Sequence, residues 1–269
     1  MRSRTLYCDN MTKSARYVVG TSGYSFADWV GQFYPPRTAS REMFDYYASQ
    51  FRAVELNYTY YHMPAARTLE SLARRSGEGF VFYVKANQAT THKQDRTVAE
   101  QFIDSLSPLR EAGKLAGVLM QFPQSFHRTA VNRKYLAEAL GDFAAVPVSV
   151  EFRHCSWEHH SVLEGLRDRR ATLVIPDAPD IASLYHHRPV LTSNTGYLRL
   201  HSRNAKLWYA GAAARYDYHY SRNELGDIAA DWTEVTQSAD KVYAFFNNCH
   251  RGQAAENAEA FRRIVGQIE

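Results

Sequence analysis

One short stretch, VSVEFRHCSW at residues 148–157, puts ionisable side chains at the end of an apolar run. It begins with β-branched residues and ends in Glu151, Arg153 and His154, with Trp157 just beyond. Burying a charge is costly unless the charge is paired, so folding alone does not call for these groups. We interpret Glu151 as a candidate acid or base, and Arg153, His154 and Trp157 as candidate ligand contacts.

Most of the other apolar segments end in the same way. Seven of the eight close with a charged or hydrogen-bonding side chain, and the coincidence points to one common site. We predict acid–base roles for Glu55, His201 and Asp177 beside Glu151. The further predicted ligand contacts at these ends are Asn57, Lys85, Gln121, Arg199, Asn247 and Asn248.

The segments that carry these side chains recur along the whole chain and alternate with helical patterns. Strands are predicted near Tyr17–Thr21, Ala53–Asn57, Phe80–Lys85, Gly117–Phe122, Val148–Arg153, Thr172–Asp177, Tyr197–His201 and Val242–Asn247. Helices are predicted near Arg41–Phe51, Ala65–Arg75, Thr97–Glu111, Asn132–Leu140, Ser161–Arg170, Arg222–Ser238 and Gln253–Ile268. This alternation predicts an α/β fold, a (β/α)8 TIM-type barrel, with an open doubly wound sheet as the alternative.

Two details refine the barrel prediction. The segment Ala178–Leu191 contains Pro179 and Pro189 and no helical pattern, so the sixth helix is expected to be degenerate or missing. Alternate residues of a barrel strand point inward, so taking Glu151 as inward also turns Glu55 towards the interior. Active sites of such barrels lie at the C-terminal ends of the strands. The candidate residues are therefore expected to line that mouth.

The segments around these strand ends also resemble a known family, the YecE-like proteins or domain of unknown function 72. The matching pieces are GTSGYSFADWVGQFYP (20–35), VELNYTYYHMP (54–64), VKANQATTH (84–92), MQFPQSF (120–126), VEFRHCSW (150–157), VIPDAP (174–179), YLRLHSRN (197–204), RYDYHYS (215–221) and YAFFNNCHRGQAAENA (243–258). The resemblance implies a TIM-type barrel and no particular reaction. That barrel is similar to the group of xylose isomerases and endonuclease IV. By this analogy an enzyme would be a hydrolase or a lyase.

Composition sets the remaining bounds. The 269 residues are expected to form a disordered or extended lead-in over residues 1–16 and a single barrel domain over residues 17–269. A net charge of +4 permits a phosphate-bearing partner without requiring one. Three scattered cysteines and the lack of a long apolar run predict a cytoplasmic protein with no membrane partner.

The first functional hypothesis is a small phosphate- or sugar-bearing ligand, which includes ligands derived from nucleic acids. Lys85, Arg153, Arg199 and Arg203 would supply positive charge, since arginine makes bidentate contacts to phosphate. The amides of the segment Gly20–Gly23 could also approach an anion closely, although a tight strand-to-loop turn is the favoured explanation of those glycines taken alone.

Two alternatives remain open. The connection after the seventh strand mixes Arg203 with Trp208, Tyr216 and Tyr218, which could stack on the bases of a nucleic acid in a non-catalytic binder. Packing of these aromatic residues against the barrel rim is the competing explanation. The second alternative is a metal-dependent, endonuclease-like hydrolase. Because typical ligand spacings such as HExxH are missing, the sequence predicts no cofactor and no metal ligand, with a divalent metal as the less favoured case.

Overall fold

Eight parallel strands close into a barrel in the computed structural model, which describes residues 16–267. The strands are β1 (Arg16–Thr21), β2 (Ala53–Leu56), β3 (Val81–Lys85), β4 (Leu115–Gln121), β5 (Val148–Glu151), β6 (Thr172–Asp177), β7 (Thr195–Leu200) and β8 (Lys241–Phe246). Each strand pairs with its neighbours in sequence, and β8 closes the barrel against β1. The predicted (β/α)8 TIM-type fold is confirmed. Residues 1–15 of the predicted lead-in lie outside the described residues.

Helices surround the barrel at nearly all of the predicted places. They are α1 (Ser40–Gln50), α2 (Ala66–Arg75), α3 (Gln88–Thr91), α4 (Ala99–Ser105), α5 (Ser107–Glu111), α6 (Ala130–Asp142), α7 (His160–Asp168), α8 (Ala212–Arg215), α9 (Arg222–Asp231), α10 (Thr233–Ser238) and α11 (Gln253–Ile264). Residues 178–194, between β6 and β7, contain no helix, as predicted. Among the described residues, no helix is long and apolar enough to cross a membrane.

Two of the predicted helices are each divided into two. The helix predicted over Arg222–Ser238 is divided into α9 and α10. The predicted helix over Thr97–Glu111 breaks between α4 and α5, where Pro108 lies in the first turn of the second piece and has no amide to continue the hydrogen-bond ladder. The first turn of α9 is capped by two reciprocal hydrogen bonds between Ser221 and Glu224. The Ser221 hydroxyl accepts a hydrogen bond from the Glu224 amide, and the Glu224 carboxylate accepts one from the Ser221 amide.

The barrel has two apolar layers. Outward strand side chains such as Val54, Leu56 and Val150 are almost completely buried beneath the helices. A smaller cluster fills the interior below the mouth, with Tyr83 and Tyr197 in contact at 4.6 Å between ring centroids. The lower interior is therefore packed with side chains, and it supports whatever lies at the strand ends above it.

Candidate functional site

A buried group of four charged residues, which we call the inner network, crosses the barrel just below its mouth. It consists of Glu55 from β2, Glu151 from β5, Arg199 from β7 and Arg153 just after β5. The Arg199 guanidinium donates to both Glu55 oxygens, at 2.9 and 2.6 Å, and to Glu151 Oε2 at 2.5 Å. Both carboxylates are 0% exposed and Arg199 is 1% exposed. One arginine therefore bridges two carboxylates that come from different strands.

Arg153 extends the inner network towards the solvent. Its Nε lies 2.5 Å from Glu151 Oε1, and its side chain is 11% exposed. Burial opposes ionisation of Glu151, but the charges of Arg153 and Arg199 hold the pKa of this carboxyl well below its usual value. Glu151 is thus a permanent anion near neutral pH and cannot donate a proton.

His201 lies completely buried beside this carboxylate. Its Nε2 is 3.3 Å from Glu151 Oε1, and its Nδ1 is 2.9 Å from Asn247 Nδ2. Burial and the charge of Arg153 lower the pKa of His201 to about 3. The imidazole is therefore neutral, and it can exchange hydrogen bonds without carrying a charge at neutral pH.

Lys85 is the group in the mouth that titrates near neutrality. Its Nζ donates to Gln121 Oε1 at 2.9 Å and lies 4.7 Å from the centre of the Tyr60 ring. Burial and the nearby charges of Arg199 and Arg153 lower the pKa of Lys85 to about 7, against the opposing effect of the two glutamates. Lys85 as a whole residue is partly exposed at the end of β3.

Several predicted residues therefore do meet in the mouth. Glu55, Glu151, Arg153, Arg199 and His201 are joined by direct contacts, and Lys85 lies beside them with Gln121. Asn247 joins through His201. Asn57 follows β2 and is partly exposed, and its Oδ1 has no hydrogen-bond partner among the described residues.

Asp177 does not join them. It belongs instead to a second group at the rim, the outer network, made of Asp177, Arg203, Tyr220 and Glu224. Arg203 Nη2 donates to Asp177 Oδ2 at 2.7 Å, and the Tyr220 hydroxyl donates to Oδ1 at 2.6 Å. Val174 of β6 points into the barrel, so Asp177, three residues later, faces the other side of the strand. The predicted grouping of Asp177 with the two glutamates is corrected by this alternation.

Tyr218 also belongs to the rim, because its hydroxyl donates to Glu224. The Arg203 guanidinium has its contact with Asp177 and lies 3.9 Å from Glu224. Tyr218 and Arg203, both predicted as ligand contacts, therefore hold the connection between β7 and β8 in place at the rim of the barrel.

Three other predicted contacts have structural partners away from the inner network. Trp157 is 2% exposed, stacks on Phe152 and donates from Nε1 to the Phe126 carbonyl at 2.6 Å. Asn248 is buried and donates to the Tyr218 carbonyl. His154 accepts from the Ser156 amide and stacks on His127 at 3.9 Å. Trp157 and Asn248 are thereby part of the packing, since no exposed surface is left for a ligand.

The connection after β7 folds across the mouth. Trp208 is 2% exposed, with the guanidiniums of Arg153 and Arg215 at 5.7 and 5.2 Å from its ring. Arg215 also donates to the Trp208 carbonyl, and the Tyr216 ring lies 6.2 Å from His201. The indole that could have stacked on a base is therefore used to cover the inner network.

The glycine segment after β1 does not offer free amides. The Thr21 amide donates to the Tyr47 hydroxyl and the Ser22 amide to the Phe246 carbonyl. A Cβ at Gly20 would lie 2.2 Å from the Ala53 carbonyl oxygen, so close strand approach explains that glycine. The turn interpretation holds for Gly23, whose φ of 106° suits a glycine.

Two further contacts belong to the site, and Tyr197, in the first of them, was not singled out from the sequence. The Tyr197 hydroxyl donates to Glu55 Oε2 at 2.5 Å, and His92 packs on Tyr60 at 4.9 Å between ring centroids. Tyr197 stands two residues before Arg199 on β7, so strand alternation was a usable signal for it. Within residues 16–267, no group of three or more His, Cys, Asp or Glu side chains is placed to hold a metal ion.

Comparison with known proteins agrees with the fold. Residues 18–269 match the family described as "Protein of unknown function DUF72". The UPF0759 protein YunF of Bacillus subtilis is 30% identical over 267 residues, covering 92% of this chain and 94% of that protein.

Two solved structures give the same result. A DUF72 family protein from Thermotoga maritima superposes with a TM-score of 0.87 at 37% identity, covering 93% of this chain and 99% of that one. One from Enterococcus faecalis gives 0.84 at 27% identity, covering 94% and 96%. The matches extend over the barrel and all the strand ends described above. This chain therefore belongs to the DUF72 family.

Proposed function

We propose that the mouth of this barrel binds a small anionic ligand, bearing a phosphate or a sugar phosphate, and acts on it by proton transfer. One observation carries the proposal. Glu55 and Glu151 are both bound by Arg199, and the partly exposed charges beside them are the cations Arg153, which also contacts Glu151, and Lys85. Two carboxylates then face three cations when Lys85 is protonated, and the excess is positive.

The proposal assigns Glu151 and Glu55 roles other than the acid and base predicted from the sequence. Glu151 is held as an anion, and neither glutamate is exposed. Their contribution is to position Arg199 and Arg153. Lys85, whose pKa lies at about 7, is the group suited to exchange a proton with the ligand, and neutral His201 completes the hydrogen bonding.

The nucleic-acid alternative has less support than the small anion. Arg203 is engaged by Asp177, and Trp208 is covered by two guanidiniums, so the groups that would read a strand are already occupied. A small ligand needs none of them and would contact Lys85 and Arg153 instead.

Calorimetric titration at low ionic strength tests this proposal. Ribose 5-phosphate and inorganic phosphate are expected to bind, whereas ribose alone is not. Arg153→Met and Lys85→Met should each weaken phosphate binding at least tenfold, because each removes a cation that faces the ligand.

Arg203→Met is the matched control, since it removes a guanidinium of the outer network, where Arg203 contacts Asp177. It should leave phosphate affinity unchanged. Equal affinities in all four proteins, with folding verified by circular dichroism, would exclude the mouth as the anion site.

A further inference from the structure

The amine of Lys85 is held far more loosely than that of another partly buried lysine in the barrel. Lys114 Nζ donates to the carbonyls of Ala73, Ser76 and Gly77, at 2.8, 2.6 and 3.1 Å. Lys85 Nζ has one hydrogen bond, to Gln121 Oε1, and no carboxylate at ion-pair distance among residues 16–267. A neutral amide acceptor and an aromatic ring do not hold an amine in its protonated form as a carboxylate does.

The surroundings of this amine suit covalent chemistry. Arg199 and Arg153 lie near it from β7 and the end of β5, and both favour loss of its proton. Glu55 and Glu151, which would favour the charged amine, are already paired with arginines. The free base is therefore well populated at neutral pH, which is the requirement for a nucleophilic lysine.

The neighbouring groups supply what a carbonyl reaction needs next. Arg153 can bind a carboxylate or phosphate of the ligand, as proposed above. His92, which packs on Tyr60 next to the amine, has a pKa lowered to about 4 by burial and by Lys85, so it stays neutral at neutral pH and can take part in hydrogen bonds without adding a charge.

We propose that Lys85 is a nucleophile that captures a carbonyl-bearing anion as an imine. This inference rests on the proposed function and names the substrate class of the same site. The neutral amine adds to the carbonyl carbon to give a carbinolamine. Loss of water then breaks the C–O bond, with the carbonyl oxygen leaving with the two amine protons, and a C=N bond to Lys85 remains. Water reverses the step and releases the ligand.

Reductive trapping tests the proposal on the full chain. The protein is incubated with glyoxylate and cyanoborohydride at pH 7, and the rate of adduct formation at each lysine is measured by peptide mass mapping. Lys85 should be labelled at least tenfold faster than the exposed Lys93 and than Lys114 in the same molecule. Lys85→Arg should abolish that fast adduct without increasing labelling elsewhere.

Gln121→Glu separates a nucleophile from an accessible amine. A carboxylate beside Nζ should hold the amine protonated and reduce labelling of Lys85 at pH 7 about tenfold, with recovery towards wild type at pH 10. Labelling of Lys85 no faster than that of Lys93 in the wild-type protein would overturn the proposal.

Glycolaldehyde, a neutral aldehyde of similar size, distinguishes this inference from the proposed function. Fast labelling by glyoxylate but slow labelling by glycolaldehyde supports both. Equal fast labelling by the two supports the nucleophile and contradicts the anion site. Phosphate binding that depends on Arg153 without fast labelling of Lys85 supports the anion site and overturns the imine.

Discussion

The inner and outer networks use the same chemical pair, a glutamate or aspartate with an arginine, at two depths of one barrel end. In the inner network Arg199 is 1% exposed and joins two carboxylates that are fully buried. In the outer network the side chain of Arg203 is 33% exposed and that of Asp177 is 15% exposed. The distances within the ion pairs are similar, so burial, rather than contact distance, distinguishes the two networks.

Water explains the contrast. At the rim, solvent can replace a lost partner, so the pair contributes little to the free energy of unfolding. In the inner network, each charge relies on its protein partners, and removing one leaves the others buried without compensation. The charges of the inner network therefore depend on one another, and Arg153 and Lys85 lie on the side of this network that faces the mouth.

The largest effect is expected from Arg199→Met, which leaves Glu55 and Glu151 without their shared partner. The free energy of unfolding should fall by about 3–5 kcal/mol, measured by urea denaturation at pH 7. Arg203→Met, the equivalent change in the outer network, should cost less than about 1 kcal/mol. Similar losses for the two variants would contradict the role given to depth.

Glu151→Gln should destabilise the protein by about 3 kcal/mol at neutral pH, since it leaves Arg153 and Arg199 less compensated. The folded-state pKa of Glu151 is depressed, so its contribution is present above its usual value of 4.5 and is lost as the pH falls below it. The difference between variant and wild type should therefore be constant from pH 7 to about 4.5 and shrink at lower pH. A difference that does not change down to pH 2 would show that ionisation is not involved.

Lys85→Met tests the partly exposed lysine that lies beside the inner network. Its pKa is lower in the folded protein, about 7 against 10.5, so the wild type gains stability as the pH rises between these values. The variant lacks this rise. It should be more stable than wild type at pH 7, by an amount that declines by up to about 1.4 kcal/mol per pH unit towards pH 10. Thermal denaturation of both proteins across this range measures the decline, and parallel curves would refute the lowered pKa.

Tyr220→Phe is expected to have a small effect, comparable to that of Arg203→Met. It removes one hydrogen bond to Asp177 in the outer network and retains the buried ring, so the cost should be about 1 kcal/mol. Tyr197→Phe makes the same change at Glu55 in the inner network and should cost more. Equal costs in urea denaturation would remove the distinction between the networks at the level of single hydrogen bonds.

Residue types and their spacing predicted most of the fold and part of the site. The eight strands lie within a few residues of the predicted positions, because β-branched runs ending in polar residues mark the strand ends. Period-two alternation correctly turned Glu55, Glu151 and Arg199 to one interior. The same rule excludes Asp177 from the interior once Val174 is known to point inward, because Asp177 lies three residues later on β6.

Other errors came from turns that follow the strands. Trp157 stands six residues after Glu151, but a short 3-10 turn at Cys155–Trp157 carries its ring back under the helices. The aromatic residues after β7 were assigned equally to stacking and to packing, and Trp208 proves to be packed between two arginines. Local sequence does not encode where a connection lands, because that depends on the surfaces available elsewhere on the barrel.

The sequence by itself determined that this is an eight-stranded α/β barrel with ionisable groups gathered at the strand ends, since alternation and strand length are local properties. Only the tertiary structure decided how those groups pair. Arg199 meets Glu55 and Glu151 across 144 and 48 residues of chain, and the resulting burial gives Lys85, Glu151 and His201 their altered pKa values. Charge interaction and desolvation depend on distance and depth in space, and neither is a function of position along the chain.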